Sequence, residues 1–262
     1  MAKPDPIAAS GHDWLDRENW GVTLGALHVQ IARTPEDFQS VQALRSARFR
    51  AANGGHDWDA HDAQSVHLFV RQASCDTAIA TARLRRVQGY CDVRSSYCAR
   101  FYDLDALARS ALCCLEIGRV CIDVAHAEDP DILRALLAGL ARLAQQAQAD
   151  ILMGCASFPG ADPAPHRMAL AYLRAHHLGP ALWRPGRASE QVIALPETFA
   201  GLQRDGLRAL PRLLRLYLGL GGWVSDHAVA DPDLDTLHVF VVVEVAAIPK
   251  ARARVLQHLA RI

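Results

Sequence analysis

Residues 114–157, CLEIGRVCIDVAHAEDPDILRALLAGLARLAQQAQADILMGCAS, decide the fold class of this chain. Cys114 to Asp123 is an apolar run of strand length, and Ile151 to Ser157 is a second one. Between them, leucines recur on one face of a predicted helix from Asp131 to Gln148. This succession of a strand, a crossover helix and a strand predicts that the two strands pair in parallel.

The pattern on both sides of this stretch predicts one mixed α/β domain. A strand at 27–32, a helix that opens at Thr34 and a hairpin at 66–72 and 78–87 precede the stretch. Further elements are predicted as helices at 104–108, 165–177, 210–220 and 249–262, and as strands at 191–195, 223–229 and 238–247. We therefore expect an N-terminal arm over residues 1–26 and a single domain over 27–262. This order of elements matches the acyl-CoA-type N-acyltransferase folds, in which helices flank a mixed central sheet, but many other architectures share it, so it supports only an analogy of fold.

Composition and charge exclude several classes of protein. The 28 Lys and Arg residues balance the 28 Asp and Glu residues, so no overall positive field favours nucleic acid. Seven cysteines without a C-x-x-C spacing suit neither a disulfide framework nor a zinc site, and they indicate a reducing, cytoplasmic setting. The first 20 residues lack the apolar run of a signal peptide, and no stretch reaches the ~18 apolar residues needed to span a bilayer.

Three carboxylates and two imidazoles crowd residues 56–62, HDWDAHD, which we call the acidic loop. A solvated acidic loop is the ordinary interpretation. The loop lacks the glycine of a calcium loop and the spacing of a zinc site, so no metal is predicted. The other interpretation is recognition of a cationic substrate, such as an amino acid with a side-chain ammonium, by Asp57, Asp59 and Asp62.

Glu116 and Arg119 place two charges inside the otherwise apolar strand at 114–123. Because Gly118 lies between them, a β-bulge there would bring both side chains to one face and free backbone N–H groups. Such donors suit a tetrahedral oxyanion in acyl transfer, and a carboxylate beside them suits proton removal from an attacking amine. A structural ion pair is the alternative.

Further candidates are arginines and a segment of small residues. Arg45 and Arg48 share a face of the first helix and could bind a carboxylate or phosphate group of a ligand. The alternative is that both side chains are simply solvated. Arg83, on the hairpin, has the same two interpretations. The segment 154–158, GCASF, with Ser157, permits close approach of a ligand to the backbone. Cys155 has no histidine near it in sequence, so a buried structural thiol is predicted.

Four arginines with helical spacing form a stripe: Arg204, Arg208, Arg212 and Arg215. This stripe suits docking of an acidic carrier protein or contact with an anionic membrane surface. A solvated amphipathic helix is the alternative.

The sequence resembles the bacterial ornithine-acyl carrier protein N-acyltransferases of ornithine-lipid synthesis, and more distantly the acyl-homoserine lactone synthases. Six blocks over residues 27–250 carry the resemblance: Arg45-x-x-Arg48-Phe49, Asp57-x-Asp59-x-x-Asp62 with His67-Leu68-x-Val70, Ala82-Arg83-Leu84, Glu116-Ile117-Gly118-Arg119, Gly154-Cys155-Ala156-Ser157-Phe158, and Leu210-Pro211-x-Leu213-Leu214-x-x-Tyr217-Leu218-x-Leu220-Gly221. The resemblance implies a GNAT-like fold. It also implies transfer of a 3-hydroxyacyl group from acyl carrier protein to the α-amino group of L-ornithine.

This resemblance implies no cofactor, because the carrier's phosphopantetheine thioester is a co-substrate. The helix after the Glu-x-x-Arg strand lacks a glycine-rich pyrophosphate loop, which also favours a carrier protein over acetyl-CoA as donor. We expect Asp57, Asp59 and Asp62 to attract the substrate's ammonium groups and Arg45 or Arg48 to attract its carboxylate. Glu116 is the expected base for direct attack of the amine on the thioester.

The implied partners are acyl carrier protein and L-ornithine, and the implied location is cytoplasmic, with peripheral contact at the inner membrane as a variant. Two other functions stay open at this point. One is an acyl-homoserine lactone synthase or another amino-acid N-acyltransferase, and the other is a non-catalytic relative that binds lipid or carrier.

Overall fold

The computed structural model describes residues 13–15, 20–51, 54–198 and 203–260. Within them the strands are β1 Val22–Leu24, β2 Leu27–Ile31, β3 Val66–Gln72, β4 Ala80–Gln88, β5 Tyr102–Asp103, β6 Cys113–Ile122, β7 Ile151–Pro159, β8 Gly186–Arg187, β9 Val192–Ala194, β10 Trp223–Asp231 and β11 Thr236–Glu244. The helices are α1 Pro35–Phe49, α2 Gly89–Arg94, α3 Asp105–Ala108, α4 Pro130–Gln146, α5 Arg167–His177, α6 Gln203–Arg208, α7 Arg212–Gly219 and α8 Lys250–Ala260.

The described residues form two compact units. The first unit contains the chain up to Arg86, Ile117–Gln148 and the residues from Ala253 onward. The second contains Val87–Glu116 and Ala149–Arg252. Strand β6 passes from one unit to the other after Glu116, whereas the sequence predicted a single domain from residue 27, so that domain division stays a prediction.

In the first unit, β1, β2, β3 and β4 are antiparallel neighbours in that order. Helix α1 begins with a capping box, in which Thr34 accepts the N–H of Asp37 and Asp37 accepts the N–H of Thr34. Helix α4 packs on β2 and β3. A Cβ atom at Gly139 would lie 2.7 Å from Cγ1 of Val29, so only glycine permits this approach.

In the second unit, the strand order is β6, β7, β11, β10 and β9. β6 and β7 pair in parallel, as predicted, and the other neighbours are antiparallel. The two faces of these strands bear separate apolar clusters. Phe158 and Val239 lie in one with α5 and α7, and Met153 and Phe240 lie in the other with Tyr102.

The structure corrects three details of the predicted elements. The N-terminal arm predicted for residues 1–26 contains β1, which pairs with β2, and the buried Trp20; residues 1–12 and 16–19 lie outside the described residues. The helix predicted at 210–220 begins only at Arg212, because Pro211 is its N-cap residue. Helix α6 precedes it as a separate helix. Helix α2 was not predicted.

Candidate active site

The acidic loop folds against three arginines of the first unit, and together they form the aspartate–arginine network: Asp57, Asp59, Asp62, Arg45, Arg83 and Arg119. Arg45, from α1, donates from Nε to Asp57 at 2.8 Å and from Nη1 and Nη2 to Asp62 at 2.6 and 3.1 Å. Asp57, Asp62 and Arg45 are each no more than 1% exposed. The hydrogen bonds described for the Arg45 side chain all go to the chain's own carboxylates.

Strands β4 and β6 supply the other two arginines. Arg83 donates to Asp59 at 2.8 Å and lies 3.2 Å from Asp62. Arg119 donates from Nε to Asp57 at 2.9 Å and from Nη2 to Asp59 at 3.3 Å. The three carboxylates of the network thus meet three arginines, and Nε of Arg50 lies 3.8 Å from Asp57 as a fourth positive charge beside them. The structure brings the predicted acids together with Arg45, Arg83 and Arg119, and Asp59 is the one acid of the network with a partly exposed side chain, at 23%.

The arginines control the protonation of the network. Burial raises the pKa of Asp62, but the hydrogen bonds and charge of Arg45 oppose this and hold the pKa at about 2. Burial likewise raises the pKa of Asp59, but the charge and hydrogen bond of Arg83 and the charge of Arg119 together lower it further, so the net shift is downward. Burial lowers the pKa of His67, which donates from Nε2 to the carbonyl oxygen of Asp62, to about 4. At neutral pH the carboxylates of Asp59 and Asp62 are therefore charged, and the imidazole of His67 is neutral.

The backbone of β6 is irregular where the sequence predicted a bulge. Arg119 has φ of 50°, a left-handed conformation that costs a residue with a Cβ atom free energy. The ion pairs of Arg119 with Asp57 and Asp59 hold this conformation in place. Residues 117–120 are all partly exposed, and Gly118 has no side chain that could cover its backbone.

Glu116 binds backbone groups of the second unit. Its Oε1 accepts the N–H of Cys98 at 2.7 Å and its Oε2 accepts the N–H of Tyr97 at 3.0 Å. The side chain is 6% exposed. Glu116 thus fixes the start of the 3₁₀ turn at 98–100, a contact that sequence reasoning did not anticipate.

The remaining predicted residues are exposed. Arg48 lies on the exposed side of α1, and Ser157 is exposed on β7. The stripe arginines Arg204, Arg208, Arg212 and Arg215 are exposed too, but they are divided between α6 and α7. In the described part of the chain, no group of three or more His, Cys, Asp or Glu side chains is arranged to hold a metal ion. None of the helices described there is long and apolar enough to cross a membrane.

A thiol–imidazole pair in the second unit was missed in the sequence, because its members are 83 positions apart. Phe240 of β11 pairs with Cys155 of β7, so His238, two residues before Phe240, is a diagonal neighbour of Cys155 on the same face. The Sγ atoms of Cys155 and Cys98 lie 3.7 Å apart and share a hydrogen bond. The hydroxyl of Tyr102 lies 3.1 Å from Nδ1 of His238 and donates to its carbonyl oxygen at 2.9 Å.

The protonation of this cluster differs from that of ordinary cysteines. The hydrogen bond with Cys98 lowers the pKa of the Cys155 thiol to about 6, against the effect of burial, and His238 contributes. The same hydrogen bond and burial raise the pKa of Cys98 well above its usual range. Burial opposes protonation of His238, but Cys155 raises the pKa of that ring. The fold thus places His238 diagonally across from Cys155, although no histidine is near Cys155 in sequence, and the structural role predicted for this thiol stays a prediction.

Comparison with known proteins identifies the family. A family model described as an acetyltransferase (GNAT) domain matches residues 42–138, a range that holds Glu116 and the whole aspartate–arginine network. An L-ornithine N(alpha)-acyltransferase of Rhodobacter capsulatus is 31% identical over 234 residues, which are 84% of this chain and 90% of that relative. This chain belongs to the L-ornithine N(alpha)-acyltransferase family. A member from Agrobacterium fabrum is 27% identical over 259 residues, 89% of this chain and 86% of that protein.

A solved structure agrees with the fold of this family member. The loading GNATL domain of CurA from Lyngbya majuscula aligns over 88% of this chain and 98% of that domain, with a TM-score of 0.51 at 14% identity. This similarity concerns the fold alone, and it confirms the predicted GNAT-like architecture of a mixed sheet with flanking helices. Membership of the L-ornithine N(alpha)-acyltransferase family confirms the predicted acyltransferase activity.

Proposed function

We propose that this chain transfers a 3-hydroxy fatty acyl group from acyl carrier protein to the α-amino group of L-ornithine, giving lyso-ornithine lipid. The observation that carries this proposal is the agreement of four relatives, 27–31% identical over 84–92% of this chain, which are all named L-ornithine N(alpha)-acyltransferase. The reaction forms an amide bond between the amine nitrogen and the acyl carbon. It breaks the bond from that carbon to sulfur and releases the carrier thiol.

In this proposal Asp59 receives an ammonium group of the substrate. The Asp57 and Asp62 carboxylates are buried among arginines, whereas Asp59 keeps part of its side chain exposed. Arg48 is the better partner for the substrate carboxylate, because its side chain is exposed and the donors of Arg45 already bind Asp57 and Asp62. Asp59→Asn should therefore raise the KM for ornithine more than it lowers kcat.

Backbone N–H groups of residues 117–120 are the proposed donors to the oxyanion, and Arg119 positions them through its left-handed backbone conformation. Glu116 accepts two backbone N–H bonds, so it acts as a positioning residue for the turn at 98–100. This assignment replaces the general base expected from the sequence.

The substrates are tested with purified protein, 3-hydroxyacyl carrier protein and a panel of free amino acids. We expect mass spectrometry to detect N-acylornithine as the main product. A carrier protein loaded with the same acyl chain without its 3-hydroxyl group should give slower transfer. N-acylation of lysine or glutamine in preference to ornithine would refute ornithine as the acceptor. A lactone product from a sulfonium nucleoside would support a homoserine lactone synthase in its place.

The arginine stripe is the proposed docking surface for the acidic carrier. Arg204→Glu with Arg208→Glu should raise the KM for acyl carrier protein and leave the KM for the same acyl group on N-acetylcysteamine unchanged. Arg109→Glu is the matched control, because Arg109 and Arg204 are both 72% exposed. If the double variant instead loses sedimentation with anionic vesicles and keeps its KM for the carrier, the stripe binds a membrane surface.

A further inference from the structure

We infer that Cys98 and Cys155 are a site of reversible oxidation, at which a small-molecule disulfide joins the two sulfurs in an intramolecular disulfide bond that slows acyl transfer. Formation of this bond does not depend on which amine the enzyme acylates. Its effect on acyl transfer rests on the positioning role that the proposed function gives to Glu116.

The fold brings the two sulfurs into contact from elements that are distant in sequence. Cys98 begins the 3₁₀ turn at 98–100, and Cys155 lies 57 positions later on β7, in the same compact unit. Their Sγ atoms are 3.7 Å apart and share a hydrogen bond, so each sulfur faces the other. A disulfide bond is about 2.0 Å long, so the sulfurs need to approach by about 1.7 Å.

Exposure sets the order in which the sulfurs react. Cys155 is partly exposed, whereas Cys98 is 1% exposed. Among the described residues, the pairing of β7 with β6 ends at Met153, so β7 is paired only with β11 at Cys155. The shared hydrogen bond also lowers the pKa of the Cys155 thiol and raises the pKa of the Cys98 thiol. A small disulfide therefore reacts with Cys155 first, and Cys98 is placed to react second.

The two steps are thiol–disulfide exchanges. The Cys155 thiolate attacks one sulfur of the small disulfide, the sulfur–sulfur bond breaks, and the leaving thiolate takes up the proton that Cys155 released. The Cys98 sulfur then attacks Sγ of Cys155, the mixed disulfide breaks, and the second small thiol leaves with the proton of Cys98. The protein loses two electrons, and the small disulfide gains them as it becomes two thiols. Added thiol therefore reverses the reaction.

The disulfide bond moves the 3₁₀ turn and not β7. Cys155 pairs with Phe240 in the ladder that joins β7 to β11 along its whole length. The N–H groups of Tyr97 and Cys98 are held by the Glu116 carboxylate, at 3.0 and 2.7 Å. A shift of Cys98 toward β7 therefore stretches the contacts by which Glu116 positions the turn. A misplacement of about 1 Å costs an enzyme as much as ~100-fold in rate.

Oxidation of a protein that keeps five cysteines tests the bond. A Cys75→Ser, Cys91→Ser background removes the exposed thiols, and Cys155 is then the one partly exposed cysteine. Treatment with 2-hydroxyethyl disulfide should lower the number of free thiols, titrated after acid quenching and unfolding, from five to three. Peptide mass spectrometry without reduction should find Cys98 joined to Cys155. A stable 2-hydroxyethyl adduct on Cys155, or a bond between other cysteines, would refute the pair.

Two variants of this background are the controls. Cys98→Ser should keep the 2-hydroxyethyl adduct on Cys155, because the sulfur that would release it is gone. Cys114→Ser is the matched control, since Cys114 is another buried cysteine of the same apolar cluster, and it should form the disulfide bond as fast as the background does. If Cys98→Ser carries no adduct on Cys155, the assigned order of reaction is wrong.

Turnover of the oxidised protein tests the effect on acyl transfer. The oxidised background should acylate its amine substrate at least about tenfold more slowly than the reduced background, and treatment with dithiothreitol followed by its removal should restore the rate. Turnover within about twofold of the reduced protein would overturn the effect. If another amino acid is acylated in place of ornithine, the same comparison is made with that acceptor, so failure of the proposed substrate and failure of this inference are distinct results.

Discussion

Replacing Asp62 by asparagine tests whether charge holds the acidic loop in place. The carboxylate is fully buried and accepts two hydrogen bonds from Arg45 and one from the N–H of Asp59 at 2.6 Å. Asparagine has nearly the same shape, but it carries no charge and one of its ends is a donor. That end would face either the guanidinium of Arg45 or a backbone N–H, so Asp62→Asn breaks the network while keeping its volume.

Two estimates give the size of the effect. Asp62 has a pKa of about 2 in the folded protein against 3.8 for a free aspartate side chain, and that difference corresponds to about 2 kcal/mol of stability. Breaking a buried ion pair by removing one partner costs about 3–5 kcal/mol, because the other charge stays buried. We therefore expect Asp62→Asn to lower the free energy of unfolding by about 3–5 kcal/mol at pH 7.

The pH dependence identifies the cause. Because folding lowers the pKa of Asp62, its stabilisation is complete above pH ~4 and is lost as the pH falls through about 2. Urea unfolding followed by tryptophan fluorescence is a suitable measurement, since Trp58 stacks on His67 with ring centroids 4.9 Å apart, beside the network. The gap between the parent and Asp62→Asn should narrow between pH 4 and pH 2.

Asp76→Asn is the matched control, because Asp76 pairs with Arg71 at 2.8 Å but is 98% exposed. We expect no measurable change in its urea midpoint. A loss of stability in Asp62→Asn that stays constant from pH 7 to pH 2 would refute the electrostatic reasoning and assign the loss to packing.

Three further substitutions test other parts of the structure. Glu116→Gln should cost about 1–3 kcal/mol of stability, because an amide –NH₂ would face a backbone N–H. Its kcat should fall while the pH profile of kcat stays unchanged. If Glu116 were a general base, the substitution would change that profile. Gly139→Ala should cost about 1–3 kcal/mol in urea unfolding, because its Cβ would lie 2.7 Å from Val29, while Gly55→Ala, with nothing within 4 Å, should change nothing. Thr34→Ala should lose about 1 kcal/mol by the same measurement, and an unchanged midpoint would contradict the capping box.

Most of the fold could be predicted because its signals are local. Thr34 and Pro35 mark the start of α1, and the strand–helix–strand stretch from 114 to 157 predicted the parallel pair of β6 and β7. Where prediction failed, the signal was short or depended on distant residues. Strand β1 has three residues, and its pairing with β2 decides its structure more than its own pattern does.

The site was harder to predict, because its charges are satisfied by residues distant in sequence. Three acids within residues 57–62 indicated that cations lie nearby, and the sequence offered a substrate ammonium as the source. In the structure the cations come from Arg45, 12 positions before Asp57, and from Arg119, 62 positions after it. No local pattern distinguishes these arginines from solvated ones, so only the fold reveals the pairing.

Strand β6 carries two different contacts on residues three positions apart, Glu116 and Arg119. Arg119 belongs to the aspartate–arginine network in the first unit, and Glu116 fixes the turn that carries Cys98 in the second. A buried ion pair is seldom kept for stability alone, since apolar packing of the same volume often does as well. The network here holds a left-handed residue next to Gly118, where the backbone is partly exposed. In the proposed function, the motif Glu-x-x-Arg therefore supplies two positioning contacts, one from Arg119 to the carboxylates and one from Glu116 to the turn at 98–100.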